Sequence, residues 1–169
     1  MNHINLSPNQ RVGFEGELWA YEQLQRQGLN PKMYTNFFEE NSDLRVGRIP
    51  IEVKLANPTW RKGPDGRWRI RWQFSVSTTA QQMANDWVLI LIARDHNGCN
   101  YPYVVPGNNI LNRRHVQITS HPTKFRGWLS YWLNRWSVIE YLDKRTYKDG
   151  GPLFDKWAYC MPPLSQESA

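Results

Sequence analysis

The stretch Ser42-Asp43-Leu44-Arg45-Val46-Gly47-Arg48-Ile49-Pro50-Ile51-Glu52-Val53-Lys54-Leu55 leaves the chain little choice of local structure. Two runs rich in β-branched and apolar residues flank a Gly-Arg pair, the pattern of two strands joined by a turn. On the second run Ile49, Ile51, Val53 and Leu55 alternate with Glu52, Lys54 and Ala56. Side chains on a strand repeat every two residues, so the aliphatic set faces a core while Glu52 and Lys54 project together to the other side. Asp43, at the head of the first strand, reaches the same place across the hairpin. Two carboxylates and an ammonium group are therefore expected at one spot, with Leu44, Val46, Ile51 and Val53 packed behind them.

That grouping suits hydrolysis of a phosphodiester with a divalent metal. Carboxylates are the hard oxygen ligands that Mg²⁺ prefers, and Mn²⁺ takes the same donors. The ion polarises the phosphate and brings the pKa of a bound water toward neutrality. Asp43 and Glu52 are the expected ligands; Lys54 orients the water or offsets the charge that develops on the phosphate oxygens. A Glu and a Lys two apart on a half-exposed strand are also what a solvated charge pair looks like. The helix upstream therefore carries the decision.

Residues 7–28 read as that helix, with Ser7 as N-cap, Pro8 at the first helical position, Gln10 at the capping-box position and Gly28 as the stop. Phe14, Leu18, Tyr21 and Leu24 make an apolar stripe, and Glu17 lies at its margin, where its carboxylate is held beside the sheet. The run Gly13-Phe14-Glu15-Gly16-Glu17-Leu18-Trp19-Ala20, followed by Asp43 and Glu52-Val53-Lys54, resembles the PD-(D/E)xK nuclease superfamily, most closely its Holliday-junction resolvases of the archaeal and phage kind. Asp43 matches the first acid, Glu52 the second, Lys54 the lysine and Glu17 the helical acid, with Glu15 the second choice for that part. Ser42 stands where the name-giving proline would be. The resemblance covers roughly residues 12–93, about half of the chain.

The resemblance implies an α/β, restriction-endonuclease-like fold, a mixed central β-sheet flanked by helices. It implies a metal site of Glu17, Asp43 and Glu52 for Mg²⁺, with Mn²⁺ as substitute, and catalysis by these three with Lys54. The partner it implies is branched duplex DNA, four-way junctions above all, cut by a homodimer whose two sites match a two-fold branch point.

Downstream, Asn57 to Gly66 is punctuated by Pro and Gly and reads as a long hairpin loop carrying Trp60, Arg61 and Lys62. The next strand has a clean period of two: Trp68, Ile70, Trp72, Phe74 and Val76 on one face, Arg67, Arg69, Arg71, Gln73 and Ser75 on the other. Paired antiparallel with the Glu52 strand, it lays its Arg-Gln face beside Glu52 and Lys54. Arg61, Lys62, Arg67, Arg69, Arg71 and Gln73 are thus the expected DNA contacts, as a phosphate track. A charge-protected edge strand is the plainer account of the same alternation. Gln73, or else Gln81 or Gln82, is also a candidate to orient water or phosphate. The chain has 21 Lys and Arg against 15 Asp and Glu, a formal net charge of +6, which favours a polyanionic partner.

Thr78 to Asn85 reads as a short helix, Trp87 to Ala93 as a strand covered on both faces, Asp95 to Gly98 as a turn and Tyr101 to Val105 as a further strand. Gly127 to Leu142 reads as one amphipathic helix whose stripe of Trp128, Trp132, Trp136 and Ile139 docks on the open sheet face; a subunit interface or a base-stacking platform are its other uses. The whole is expected as one nuclease domain over 1–169, with a core at about 8–106, a helical C-terminal extension at about 107–160 and a disordered tail at 165–169. The tryptophan-rich extension exceeds a minimal resolvase and equally suits a sequence-specific restriction or homing endonuclease. A nuclease-fold DNA-binding protein without catalysis, and a subunit active only within a larger assembly, are the remaining classes.

Other chemistries lack their motifs. His96, Cys99, His115, His121 and Cys160 follow no zinc-ligand spacing, and the two cysteines read as free thiols. There is no phosphate-binding Gly-x-x-x-x-Gly-Lys loop and no Gly-x-Ser-x-Gly elbow. Without a signal pattern or a run near the ~18 apolar residues of a membrane span, the chain is expected in the cytoplasm.

Overall fold

Helix α1 (Pro8–Arg26) begins as its sequence requires. The Ser7 hydroxyl accepts from the Gln10 backbone N–H at 3.3 Å, and the Gln10 side chain accepts from the Ser7 N–H at 2.9 Å, so two otherwise orphaned donors are satisfied. The computed structural model describes residues 7–33, 43–76, 86–110 and 112–148, the last four as backbone alone. Ser42, the expected helix at Thr78 to Asn85 with Gln81 and Gln82, Cys160 and the tail lie outside the described residues.

The chain passes from α1 through β1 (Pro31–Met33) into the hairpin of β2 (Leu44–Val46) and β3 (Ile49–Ala56). The hairpin has the expected Gly47-Arg48 turn, with Gly47 at φ +56°, and sets Leu44 opposite Ile51 and Val46 opposite Ile49. β6 (Val88–Arg94) lies parallel to β3, with Glu52 opposite Leu89 and Lys54 opposite Leu91. After the expected turn β7 (Asn100–Pro106) returns antiparallel, which gives a five-stranded mixed sheet in the order β1-β2-β3-β6-β7. Val88 to Ala93 are all buried, as an unbroken apolar run on a central strand must be.

Helix α1 lies across β3 by a face that shares only the C-terminal half of the expected stripe, Tyr21 and Leu24. A Cβ added at Gly16 would stand 2.9 Å from Leu55 Cβ, so only the missing side chain lets the helix backbone come this close. Ala20 and Leu24 continue that contact and are fully buried, whereas Phe14 and Leu18 stay 47% and 42% exposed.

The strand at Trp68 also departs from expectation. β4 (Thr59–Lys62), β5 (Trp68–Ser75) and β8 (His115–Ile118) form a separate antiparallel sheet in the order β4-β5-β8. The segment Asn57 to Gly66 is therefore not all loop; its turn is confined to Gly63 to Arg67, closed by the Gly63 N–H donating to the Arg67 carbonyl at 2.8 Å. β5 does not pair with β3 because no edge is free beside Glu52. β6 takes one edge from Ile51 to Ala56, while β2 and then the Asp43 side chain take the other as far as Val53. The second sheet is fixed instead through Trp72, whose indole N–H donates to the Arg94 carbonyl at the end of β6 at 2.7 Å.

The expected single helix from Gly127 to Leu142 is broken. Trp128–Trp132 is a 3₁₀ turn, Leu133 bridges to Tyr103 of β7, Asn134 adopts φ +57°, and α2 (Ser137–Lys148) follows. Most of its apolar residues still go where the stripe predicted: Leu129, Trp132, Trp136, Ile139 and Leu142 are buried in the same core as β3 and β6, with Trp136 6.3 Å from Trp19 between ring centroids, whereas Trp128, the first of the stripe, stays exposed beneath the Arg113 guanidinium. No helix among the described residues is long and apolar enough to cross a membrane.

Candidate active site

Glu52 and Lys54 leave β3 on the same side, and Lys54 Nζ stands 2.8 Å from Glu52 Oε1. Asp43 sits one residue before β2. Its N–H donates to the Ile51 carbonyl at 3.0 Å, and its Oδ2 accepts the Val53 N–H at 2.7 Å. The carboxylate thus fills the next rung of the ladder where β2 ends. Glu17 comes from α1, placed over β3 by the close approach at Gly16. A cleft of about 420 Å³ opens there, lined by Glu17, Asp43, Lys54, Asn9 and Asn57 among others. Glu52 lies behind Lys54, only 5% exposed, and its Oε2 is buried without a hydrogen-bond partner.

The electrostatics follow from crowding acids into poor solvent. Burial, then the Asp43 charge, raises Glu17 to a pKa of about 7, with Lys54 pulling the other way. Asp43 is raised by burial, against the opposing effects of the Val53 N–H and Lys54. Glu52 is raised by burial too, although Lys54 lowers it by charge and by hydrogen bond. Burial acts to lower Lys54, but Glu52, Asp43 and Glu17 together hold the ammonium above its ordinary value. Three carboxylates therefore share one cation, and the excess negative charge calls for protons or for a further cation.

A divalent ion fits this site, on a smaller ligand set than expected. Among the described residues no three His, Cys, Asp or Glu side chains stand close enough to hold one ion between them. Mg²⁺ needs only one or two protein carboxylates, since it keeps several waters and takes phosphate oxygens besides. Asp43 and Glu52 are the carboxylates that would supply these, and Glu52 Oε2 is a buried oxygen with no hydrogen-bond partner of its own.

The remaining expected residues fall elsewhere. Glu15 makes an ion pair with Arg94 at 2.8 Å, tying α1 to the end of β6, and does not line the cleft. Arg61, Lys62, Arg69 and Gln73 are exposed on the second sheet, Arg67 is exposed in its β4–β5 turn and Arg71 is half-buried on β5; none lines the cleft. Gln73 pairs across the sheet with Gln117, so it is not placed to orient a water in the cleft. Asn9 and Asn57 line the cleft and were missed; the signal for Asn57 was its place just past the end of the Glu52-Lys54 strand.

No protein-family model matches the chain, and no curated protein matches it in sequence. The fold does have a counterpart among solved structures: the bacterial homing endonuclease I-Ssp6803I is similar over 84% of this chain and 99% of its own, with a TM-score of 0.56 and 12% sequence identity. The chain therefore has the fold of a homing endonuclease. That likeness spans more of the chain than the 12–93 segment that resembles the resolvases.

Proposed function

We propose that this chain is a metal-dependent endodeoxyribonuclease that cuts duplex DNA at a defined sequence. The observation that carries hydrolysis is the cleft itself, lined by Glu17, Asp43 and Lys54, with Glu52 buried against Lys54 and its Oε2 without a hydrogen-bond partner. Sequence-defined duplex is favoured over a four-way junction by the likeness to a homing endonuclease over nearly that enzyme's whole length. The junction-resolving alternative rests on the resemblance carried by the Glu17 helix with Asp43, Glu52 and Lys54 over roughly residues 12–93.

In this reading Asp43 and Glu52 would hold the ion, which would supply polarisation of the scissile phosphate and an acidified water. Lys54, kept protonated by its acidic neighbours and fixed by Glu52 Oε1, meets the charge that grows on the phosphate oxygens. Glu17, with a pKa of about 7, is matched to accept a proton from the attacking water near neutral pH. Cutting both strands of a duplex requires two sites of opposite polarity, which a two-fold dimer of this chain provides.

The test is cleavage of a labelled duplex library beside a four-way junction with the same arms, in Mg²⁺, in Mn²⁺ and in chelator, by wild type and Lys54→Ala. Double-strand cuts at one sequence, lost with chelator and with Lys54→Ala, are expected. Paired symmetric nicks at the branch would restore the resolvase reading, and no cutting with any metal would leave a DNA-binding protein.

A further inference from the structure

The second sheet presents a polar face whose side chains fall in cross-strand pairs. Arg61 stands opposite Arg69 and Thr59 opposite Arg71 on β4–β5; Gln73 stands opposite Gln117 and Ser75 opposite His115 on β5–β8. Residues 69, 71, 73 and 75 alternate along one strand, so all four pairs share one face. The opposite face carries Trp60, Trp72 and Phe74. Trp72 and Phe74 are buried, and Trp60 stacks on His96 of the β6–β7 turn, ring centroids 6.1 Å apart and planes at 11°. That face looks toward the body of the protein, so the Arg-Gln face looks away from it.

Edge protection explains arginines on a rim strand but not this face. β5 is paired along its whole length, with β4 over Trp68 to Arg71 and with β8 over Trp72 to Ser75, and the exposed Gln73–Gln117 pair carries no charge to protect an edge. What the face does carry is an ordered set of donors and acceptors for base edges: Arg suits guanine, and Gln suits adenine. Asp65, in the turn, holds Arg69 through its Nη2 at 2.6 Å and so fixes the guanidinium. β4 is exposed at all four positions, which leaves the Arg-Gln face of the hairpin open to solvent, and a two-stranded ribbon of this kind fits the major groove. Four pairs spaced about 6.7 Å apart span three intervals, roughly 20 Å, or about six base pairs.

We infer that this face reads bases in the DNA major groove, Arg61 and Arg69 at guanines and the Gln73–Gln117 pair at an adenine. The inference rests on the nuclease reading for what is done with the bound duplex. Thr59 follows Lys54 by five residues through Asn57 and Pro58, so the reading face stands at a fixed offset from the cleft.

The experiment is selection from a randomised duplex library with the full chain, once for binding without metal and once for cleavage in Mg²⁺, by wild type, Gln73→Ala, Gln117→Ala and Arg61→Ala. Wild type is expected to enrich a motif with a contiguous run of about six specified pairs. Each glutamine variant is expected to lose discrimination at one adenine by roughly 5- to 150-fold, and Arg61→Ala at one guanine, with the other positions unchanged. A motif that survives every variant while affinity falls uniformly would mean phosphate contact alone and overturn the inference, as would tighter binding to single strands or RNA. A selected motif lost position by position but never cut would sink the nuclease reading and leave base reading standing; cutting without any motif would do the reverse.

Discussion

Asp43 Oδ2 accepts the Val53 N–H at 2.7 Å, so a metal-site candidate also supplies the rung that ends the β2–β3 ladder. The two tasks separate by substitution. Asp43→Asn keeps an acceptor for that N–H and removes the charge; denaturant unfolding should shift by less than about 1 kcal/mol while cleavage falls at least ~100-fold. Asp43→Ala leaves the Val53 N–H orphaned and should cost about 1–3 kcal/mol besides. Equal losses of stability in the two variants would show that the rung contributes nothing.

The Glu52–Lys54 pair predicts a stability coupling. Lys54→Met leaves the Glu52 carboxylate buried without its cation. A fully buried pair would lose ~3–5 kcal/mol, but the Lys54 side chain is 37% exposed and solvent screens it, so about 1–2 kcal/mol is expected. Adding Glu52→Gln should recover most of that, and a double-mutant cycle by urea unfolding reads the coupling directly. Additive losses would contradict the pairing.

Glu17 predicts the pH dependence. Its folded pKa of about 7 lies above the ordinary 4.5, so the metal-free fold binds this proton more tightly than the unfolded chain does. The stability it contributes is fully present below about 4.5 and is lost as pH rises through about 7. Asp43 and Glu52, raised as well, act in the same direction. Thermal midpoints in chelator should therefore fall from pH 5.5 to pH 8 in wild type, and fall less in Glu17→Gln. Protons and Mg²⁺ compete for the same negative charge, so cleavage at limiting Mg²⁺ should climb across that window in wild type.

What the sequence made legible is what is local. The Glu52-Lys54 alternation and the Ser7-Pro8-Gln10 cap depend on neighbours within a few residues, and both appear where their patterns put them. The partner of β5 was not legible, because it depends on which edges of β3 are already taken by β6 and Asp43. The break near Leu133 is equally non-local: it answers to the bridge with Tyr103, thirty residues earlier in the chain. The face α1 buries was hidden for another reason. Gly16 and Ala20 carry almost no hydrophobic signal, while Phe14 and Leu18 carry a strong one and remain half exposed.

That face gives the last prediction, in which two glycines of one helix respond oppositely to the same change. Glycine in a helix interior costs about 1 kcal/mol relative to alanine. A Cβ at Gly13 meets nothing within 4 Å, so Gly13→Ala should gain roughly 0.5–1 kcal/mol in thermal unfolding. A Cβ at Gly16 meets Leu55 Cβ at 2.9 Å, against a strand that β6 and β2 hold in place. There the helix must move, and overpacking of about 1–3 kcal/mol outweighs the helix gain. The displacement carries Glu17 with it, one residue on, so Gly16→Ala should also slow cleavage by up to ~100-fold without removing any polar group. Stabilisation of Gly16→Ala to the level of Gly13→Ala, with cleavage unchanged, would mean that α1 does not set the position of Glu17.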